Sequence, residues 1–317
     1  MTIAAEAHAH RSRRRSSLAR RGLHASVPYL LILPAIVVIT AILGYPLYKL
    51  VTLSFQQYGL AELIQRKGVW IGLDNYSSVL HDEIFWRTLL RTAIFTVANV
   101  ALTIGLGTMI AFLLIRVSAW LRVMLTAGLV LAWSMPAVVA VQVWYWMTNF
   151  QNGILNYALT ELGIGDFSQH DWYATTFSKL AMVTLLIVWG AVPFVTITVY
   201  AGLAQVPREL VEAAEIDGAG PLRVFRDVTF PILKPIFLIL TSLSIIWDFG
   251  VFTQPYLLIG SSHVDSSNYL MGVYVFIEGY AHSDFGRGAA ISLLMLLMVA
   301  VMSVFYVRRM VKMGEAR

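Results

Sequence analysis

The sequence predicts an all-α integral membrane protein with six transmembrane helices and both termini in the cytoplasm. Three observations lead to this prediction: an apolar composition, six apolar segments of membrane-spanning length, and an unequal distribution of lysine and arginine between the connecting segments. Of the 317 residues, 58% are hydrophobic and 13% are charged, and the mean hydropathy is +0.71. Such a composition is typical of proteins that reside in the bilayer.

Six segments approach or exceed the roughly 20 apolar residues that cross the hydrocarbon core. They lie near residues 27–48, 92–115, 123–148, 180–206, 232–259 and 288–307. We therefore divide the chain into a basic N-terminal arm at 1–28, a transmembrane domain at 29–309 and a short tail at 310–317. The fifth segment is predicted to be a broken helix, because Asp248 and Gly250 interrupt its apolar run and Pro255 lacks a backbone N–H.

The basic residues predict the orientation. If the N-terminus is inside, the cytoplasmic segments hold 16 of the 23 lysines and arginines, which favours an arrangement with both termini inside. The net charge of +5 does not indicate a nucleic-acid partner, because the charges flank the membrane segments instead of covering one soluble face.

A polar stretch at 207–235 separates the fourth and fifth apolar segments. Pro207 and Gly218 are typical of the two ends of a short helix, and Pro221 is suited to begin a second one. On this second helix Leu222, Phe225 and Val228 are predicted to share an apolar face, with Arg223, Arg226 and Asp227 opposite. The pattern predicts a helix-turn-helix with an apolar knob, suited to docking into a groove of a soluble partner.

This stretch resembles the EAA loop of the membrane subunits of bacterial ABC importers. The match consists of Glu212-Ala213-Ala214, then Gly218, then Val228, Phe230 and Pro231, and Asp217-Gly218-Ala219 and Pro235 also fit the carbohydrate branch. An amphipathic surface loop of another membrane protein is the alternative. The residues that the resemblance assigns to ATPase coupling are Glu212, Ala213, Ala214, Asp217, Gly218, Ala219, Leu222, Phe225, Val228 and Pro231.

The resemblance extends over about 28–309, and AWSMPAVVAVQVWYWMTNFQNGILN in the third segment is similar to permeases of the maltose and glycerol-phosphate group. It implies a multi-pass protein of the bacterial cytoplasmic membrane that works by alternating access. The implied partners are a second permease, two ATPase subunits that bind ATP and magnesium, an extracytoplasmic sugar-binding protein and membrane lipid, with no nucleic acid.

A substrate path is expected where polar residues occur at membrane depth. In the fifth segment Trp247, Asp248, Gln254 and Tyr256 offer aromatic faces and polar groups to a sugar. The alternative is a kinked helix whose Asp248 pairs with a neighbouring subunit. Further candidates on the other segments are Asn99, Gln142, Trp144 and Trp189.

Several function classes are not supported by the sequence. No GxxxxGK[ST] phosphate loop, HExxH metal site, GxSxG elbow or cysteine is present, so we expect neither an enzyme nor a metal protein. Lysine and arginine are absent from the interior of the segments, which favours a neutral oligosaccharide over an anionic solute. IWDFGVFTQ is similar to actinobacterial amino-sugar and chito-oligosaccharide permeases.

Two other functions remain open at this stage. An ion-coupled secondary transporter usually carries ionisable groups within the membrane, but Asp248 is the one carboxylate well inside a segment, and the loop motif has no repeat. A membrane assembly protein without transport activity would not need a broken, polar fifth segment.

Overall fold

The computed structural model describes residues 31–259 and 265–315, so the predicted basic arm at 1–28 lies outside the described residues. In chain order the helices are α1 Leu31–Ser54, α2 Leu60–Gln65, α3 Asp74–Leu80, α4 Glu83–Arg116, α5 Ala119–Trp133, α6 Ala137–Met147, α7 Ile154–Glu161, α8 Thr176–Leu203, α9 Arg208–Ile216, α10 Pro221–Phe249, α11 Thr253–Ile259, α12 Met271–Phe276 and α13 Phe285–Glu315. A two-stranded antiparallel hairpin, β1 Gln56–Gln57 and β2 Val69–Trp70, is the one sheet in this described part.

Five of the helices, α1, α4, α8, α10 and α13, are long and apolar enough to cross a membrane. A sixth span is formed if α5 and α6 are counted together. The prediction of an all-helical membrane protein is therefore confirmed, with six spans when the α5–α6 pair counts as one.

The α5–α6 pair is bent by 99°. Pro136 directly precedes α6 in an extended conformation (φ −58°, ψ 135°), and its ring and missing N–H prevent α5 from continuing. At 1.5 Å per residue α5 and α6 are about 22 and 16 Å long, so neither alone crosses a core of about 30 Å. The apolar pattern of 123–148 did not reveal this bend.

The centre of the molecule is the contact between α4 and α8, with α10 beside them. One stripe of α4 is buried along the whole helix. At Gly107 the two backbones approach so closely that an added Cβ would lie 2.6 Å from Val195 Cγ1 on α8. The inner half of α10 completes this core, because Leu233 and Leu240 cluster with Val195 and Val199.

The predicted break in the fifth segment is present. Helix α10 ends at Phe249, Gly250 follows as its C-cap, and α11 starts at Thr253. Pro255 is not the cause, because it lies in the first turn of α11, where a missing N–H costs little. Helix α12 covers the break at Gly272, where an added Cβ would lie 2.5 Å from the Val251 carbonyl oxygen.

Candidate translocation cavity and coupling loop

A cavity of about 460 Å³ lies where the α5–α6 bend, the middle of α8 and the break after α10 meet. The bend in α5–α6 and the break after Phe249 are therefore the features that form it. Its aromatic and polar lining residues are Trp133, Trp189, Trp247, Asp248, Phe252, Thr253 and Gln254.

Aromatic rings in and beside the cavity wall contact one another between four helices, α5, α6, α8 and α10. Trp133 stacks on Phe194, with ring centroids 5.8 Å apart and planes inclined by 21°, and Phe194 meets the Trp247 ring edge-on at 5.6 Å. The rings of Trp189 and Trp144 are also in contact, with centroids 6.2 Å apart. Flat aromatic faces of this kind suit the C–H surfaces of a sugar ring.

The Asp248 side chain supplies the charge in the cavity wall. The residue is only 6% exposed, and its carboxylate has no hydrogen bond or ion pair with any residue in the described ranges. Unpaired polar groups at membrane depth are costly and are usually found where a cavity or a functional path passes. Asp248 and the Gln254 amide can thus accept and donate hydrogen bonds to hydroxyl groups of a solute.

The cavity unites four of the eight residues predicted for a substrate path: Trp189, Trp247, Asp248 and Gln254. The other four lie elsewhere. Trp144 does not line the cavity but packs on Trp189, and Tyr256 packs against Phe252 and Phe276. Gln142 is exposed on α6, and Asn99 is buried on α4, where its amide donates to Phe95 O at 2.8 Å.

Trp133 is a cavity residue that the sequence reasoning missed. It ends α5 directly before the bend, and the packing of α5 against α8 places its ring on Phe194 and beside the cavity. The one local signal was the S-M-P triplet at 134–136 that follows it.

The loop between α8 and α10 contains the predicted turn. Helix α9 ends in a Schellman motif: Gly218 has a φ of +81°, its N–H donates to Glu215 O at 3.0 Å, and Ala219 N–H donates to Ala214 O at 2.9 Å. The chain then restarts at Pro221. The second helix does not stop there, because α10 runs from Pro221 into the membrane as one element.

The predicted apolar knob is wrong in its composition. Leu222 is 80% exposed, but Phe225 packs on Phe112 of α4 with centroids 5.5 Å apart, and Val228 is half-buried. Phe225 faces inward because the start of α10 packs against the end of α4, and the π-helical turn Phe225–Thr229 then changes the spacing between Phe225 and Val228. The exposed apolar tip of the loop consists instead of Leu222 and Ile216, which is 85% exposed.

The other residues assigned to coupling also divide into exposed and partly buried ones. Glu212, Ala213, Asp217, Gly218 and Pro231 are exposed, whereas Ala214 and Ala219 are partly buried.

A cavity of about 660 Å³ lies between α9 and three membrane helices, at the C-terminal ends of α4 and α8 and the N-terminal end of α5. Its charged lining consists of Arg116, Arg122, Arg208, Glu212 and Glu215. Arg122 is already engaged, because its guanidinium donates to Leu114 O at 2.8 Å and to Val117 O at 3.1 Å and so caps α4. Helix α9 therefore stands off the membrane helices, with room to move.

The segment that follows the C-terminal end of α6 and contains α7 is held in place by hydrogen bonds. Asn156 donates to His170 O at 2.9 Å, and the hydroxyls of Thr148 and Tyr173 are 2.7 Å apart. Burial raises the pKa of Tyr173 to about 12, so this phenol stays neutral at physiological pH.

Comparison with known proteins identifies the family. Residues 101–311 match the family described as binding-protein-dependent transport system inner membrane component. The chain belongs to this family. It is thus a multi-pass inner-membrane permease subunit of an ABC importer for sugars or oligosaccharides and is not itself catalytic. The alternatives of an ion-coupled transporter and of an assembly protein are set aside.

The chain is similar in sequence to two permease proteins and in fold to one solved structure of an ABC transporter. The chain is 42% identical to the diacetylchitobiose uptake system permease protein DasB of Streptomyces coelicolor, over 92% of this chain and 88% of the relative. It is 30% identical to the trehalose/maltose transport system permease protein MalF of Thermococcus litoralis, over 90% and 93%. A bacterial alginate ABC transporter in complex with an alginate pentasaccharide-bound periplasmic protein shares the fold, with a TM-score of 0.75 at 16% identity over 90% of this chain and 94% of that one.

Proposed function

We propose that the solute is a neutral amino-sugar disaccharide of the diacetylchitobiose type. The observation that carries this proposal is the cavity at the α10 break, with Trp133, Trp189 and Trp247 beside a single carboxylate. No lysine or arginine lines this cavity among the described residues, which disfavours an anionic sugar. The name of the relative at 42% identity supports the same class.

The aromatic arrangement suits a β-linked disaccharide. Such a sugar is a flat ribbon with apolar faces, and tryptophan rings can lie against these faces. The Asp248 carboxylate and the Gln254 amide then bind hydroxyl or acetamido groups at the edges of the ribbon.

The loop of α9 and the start of α10 receives the motion of the ATPase. Ile216 and Leu222 form its exposed apolar tip and dock into a groove on an ATPase subunit. Two such subunits bind ATP and magnesium and close on each other, and the continuous α10 carries the movement from Leu222 toward the cavity at Asp248.

The loop faces the cytoplasm, with both termini on the same side, as the distribution of basic residues favours. A second permease completes the path, and an extracytoplasmic binding protein delivers the sugar from the other side. Opening alternates between the two sides, so the chain gates passage and performs no bond chemistry.

The test is uptake by the complete complex in proteoliposomes, with N,N′-diacetylchitobiose and maltose compared, for wild type and Asp248→Ala. We expect uptake of the amino sugar by wild type. We expect a loss of about tenfold or more in Asp248→Ala, because a hydrogen bond to a charged group contributes roughly 1.5–3 kcal/mol. Equal kinetics of the two proteins would remove Asp248 from the path, and preference for maltose would overturn the solute class.

A further inference from the structure

A row of polar residues lies buried between α4 and α8. Thr96, Asn99 and Thr103 follow one another on the inner stripe of α4, with Thr88 one turn beyond Thr92 at the outer end. Thr196 is fully buried on α8. Its backbone nitrogen would lie 3.3 Å from a Cβ added at Gly107, which belongs to the inner stripe of α4. From Thr88 to Thr103 the row extends about 22 Å, most of the thickness of a hydrocarbon core.

Most oxygens of this row have no hydrogen-bond partner in the described part of the chain. They are Thr88 Oγ1, Thr96 Oγ1, Asn99 Oδ1, Thr103 Oγ1 and Thr196 Oγ1. Elsewhere in the same helices a hydroxyl donates to the carbonyl four residues earlier, as Thr92 does to Thr88 O and Thr198 to Phe194 O, both at 2.8 Å. The oxygens in the row make no such bond to their own helices.

Such unpaired groups carry a high cost in a bilayer, where no solvent can satisfy them unless water reaches them from a cavity. A source of water is close. Phe95, one turn before Asn99, belongs to the same buried cluster as Leu186 and Ile187, and these two residues line the 460 Å³ cavity.

We propose that this seam binds a file of water molecules that enters from the translocation cavity. Buried waters typically make two to four hydrogen bonds to otherwise unsatisfied polar groups, which is what these hydroxyl and amide oxygens require. Water in the seam gives α4 and α8 hydrogen bonds that can be exchanged as the helices shift, whereas a dry, close-packed contact would have one arrangement only. The proposal does not depend on the identity of the sugar.

The absence of cysteine from the chain allows a direct test of hydration. Thr96→Cys and Thr103→Cys are made in the full complex and exposed to methanethiosulfonate ethylammonium, at rest and during ATP hydrolysis. Val183→Cys, fully buried in an apolar cluster on α8, is the control. A thiol needs water to ionise, and each unit of its pKa changes the thiolate fraction about tenfold, so we expect modification at least about tenfold faster in the seam. Rates equal to the control in both states would overturn the proposal.

A second comparison does not require a reagent to enter. Thr103→Val removes an oxygen that we assign to water, and Thr198→Val removes one that is bonded within its own helix. We expect Thr103→Val to lower ATP-driven uptake about fivefold more than Thr198→Val, the scale of one lost hydrogen bond. If Thr103→Val instead raises the thermal midpoint of the complex and leaves uptake intact, the seam is dry and the proposal fails.

Discussion

Among single residues, some side chains that line the cavity could be predicted from the sequence and one could not. Trp247, Asp248 and Gln254 stand out because polar groups in an apolar run are rare, and the chain places all three at one cavity. Trp133 is equally close to the cavity, but no local pattern separates it from the other tryptophans. Its position beside the cavity depends on the packing of α5 against α8, which is a tertiary feature.

Trp133 provides a prediction at this scale. Trp133→Ala removes the ring that stacks on Phe194, and an aromatic contact of this kind contributes about 0.5–1.5 kcal/mol. We expect KM for sugar uptake to rise roughly threefold to tenfold while the ATPase subunits stay bound. The control is Trp120→Ala, at the exposed start of the same helix, whose uptake kinetics should match wild type. An unchanged KM in Trp133→Ala would show that the ring is not part of the sugar path.

At the scale of elements, backbone chemistry explains which features could be predicted. The turn at Gly218 and the break at Gly250 were predictable because glycine, proline and charge act locally. The π-helical turn at Phe225–Thr229 was not predictable, nor was the packing of Phe225 on Phe112 of α4. The close approach of α4 and α8 was also hidden, because it depends on which glycine meets the neighbouring helix.

Two glycines on α4 provide a test of the close contact between α4 and α8. In Gly107→Val the new side chain collides with Val195 on α8, whereas the Cβ position of Gly105 has no atom within 4 Å. We expect Gly107→Val to destabilise the purified complex by about 1–3 kcal/mol, the usual cost of overpacking. Gly105→Val carries the same change in helix propensity and serves as the control. Equal thermal midpoints for the two variants would mean that α4 and α8 do not touch at Gly107 in the membrane.

At the scale of the whole molecule, the two cavities lie on either side of a common core. The larger one separates α9 from the membrane helices, and the smaller one lies at the α10 break, while α10 runs from the loop to that break. A displacement of the loop can thus reach the cavity that we propose for the sugar through a single helix. Coupling to an ATPase in this way requires the loop to be in the cytoplasm, where the ATPase subunits bind ATP.

The orientation is testable with single cysteines, since the chain has none of its own. Asp217→Cys lies at the end of α9, and Asn152→Cys lies in the exposed segment before α7. In right-side-out vesicles we expect a membrane-impermeant maleimide to label Asn152→Cys only, and inverted vesicles should give the opposite result. Labelling of Asp217→Cys from outside would reverse the orientation and separate the loop from any cytoplasmic ATPase.

The most direct test of the account measures ATP hydrolysis and sugar uptake together in proteoliposomes that contain the complete complex with Leu222→Asp. The variant places a charge on the exposed tip of the loop without touching the packing of Phe225 on Phe112. We predict normal membrane insertion, loss of most of the bound ATPase, and uptake reduced to background. Wild-type uptake by Leu222→Asp, at an equal amount of protein in the membrane, would contradict coupling through this loop.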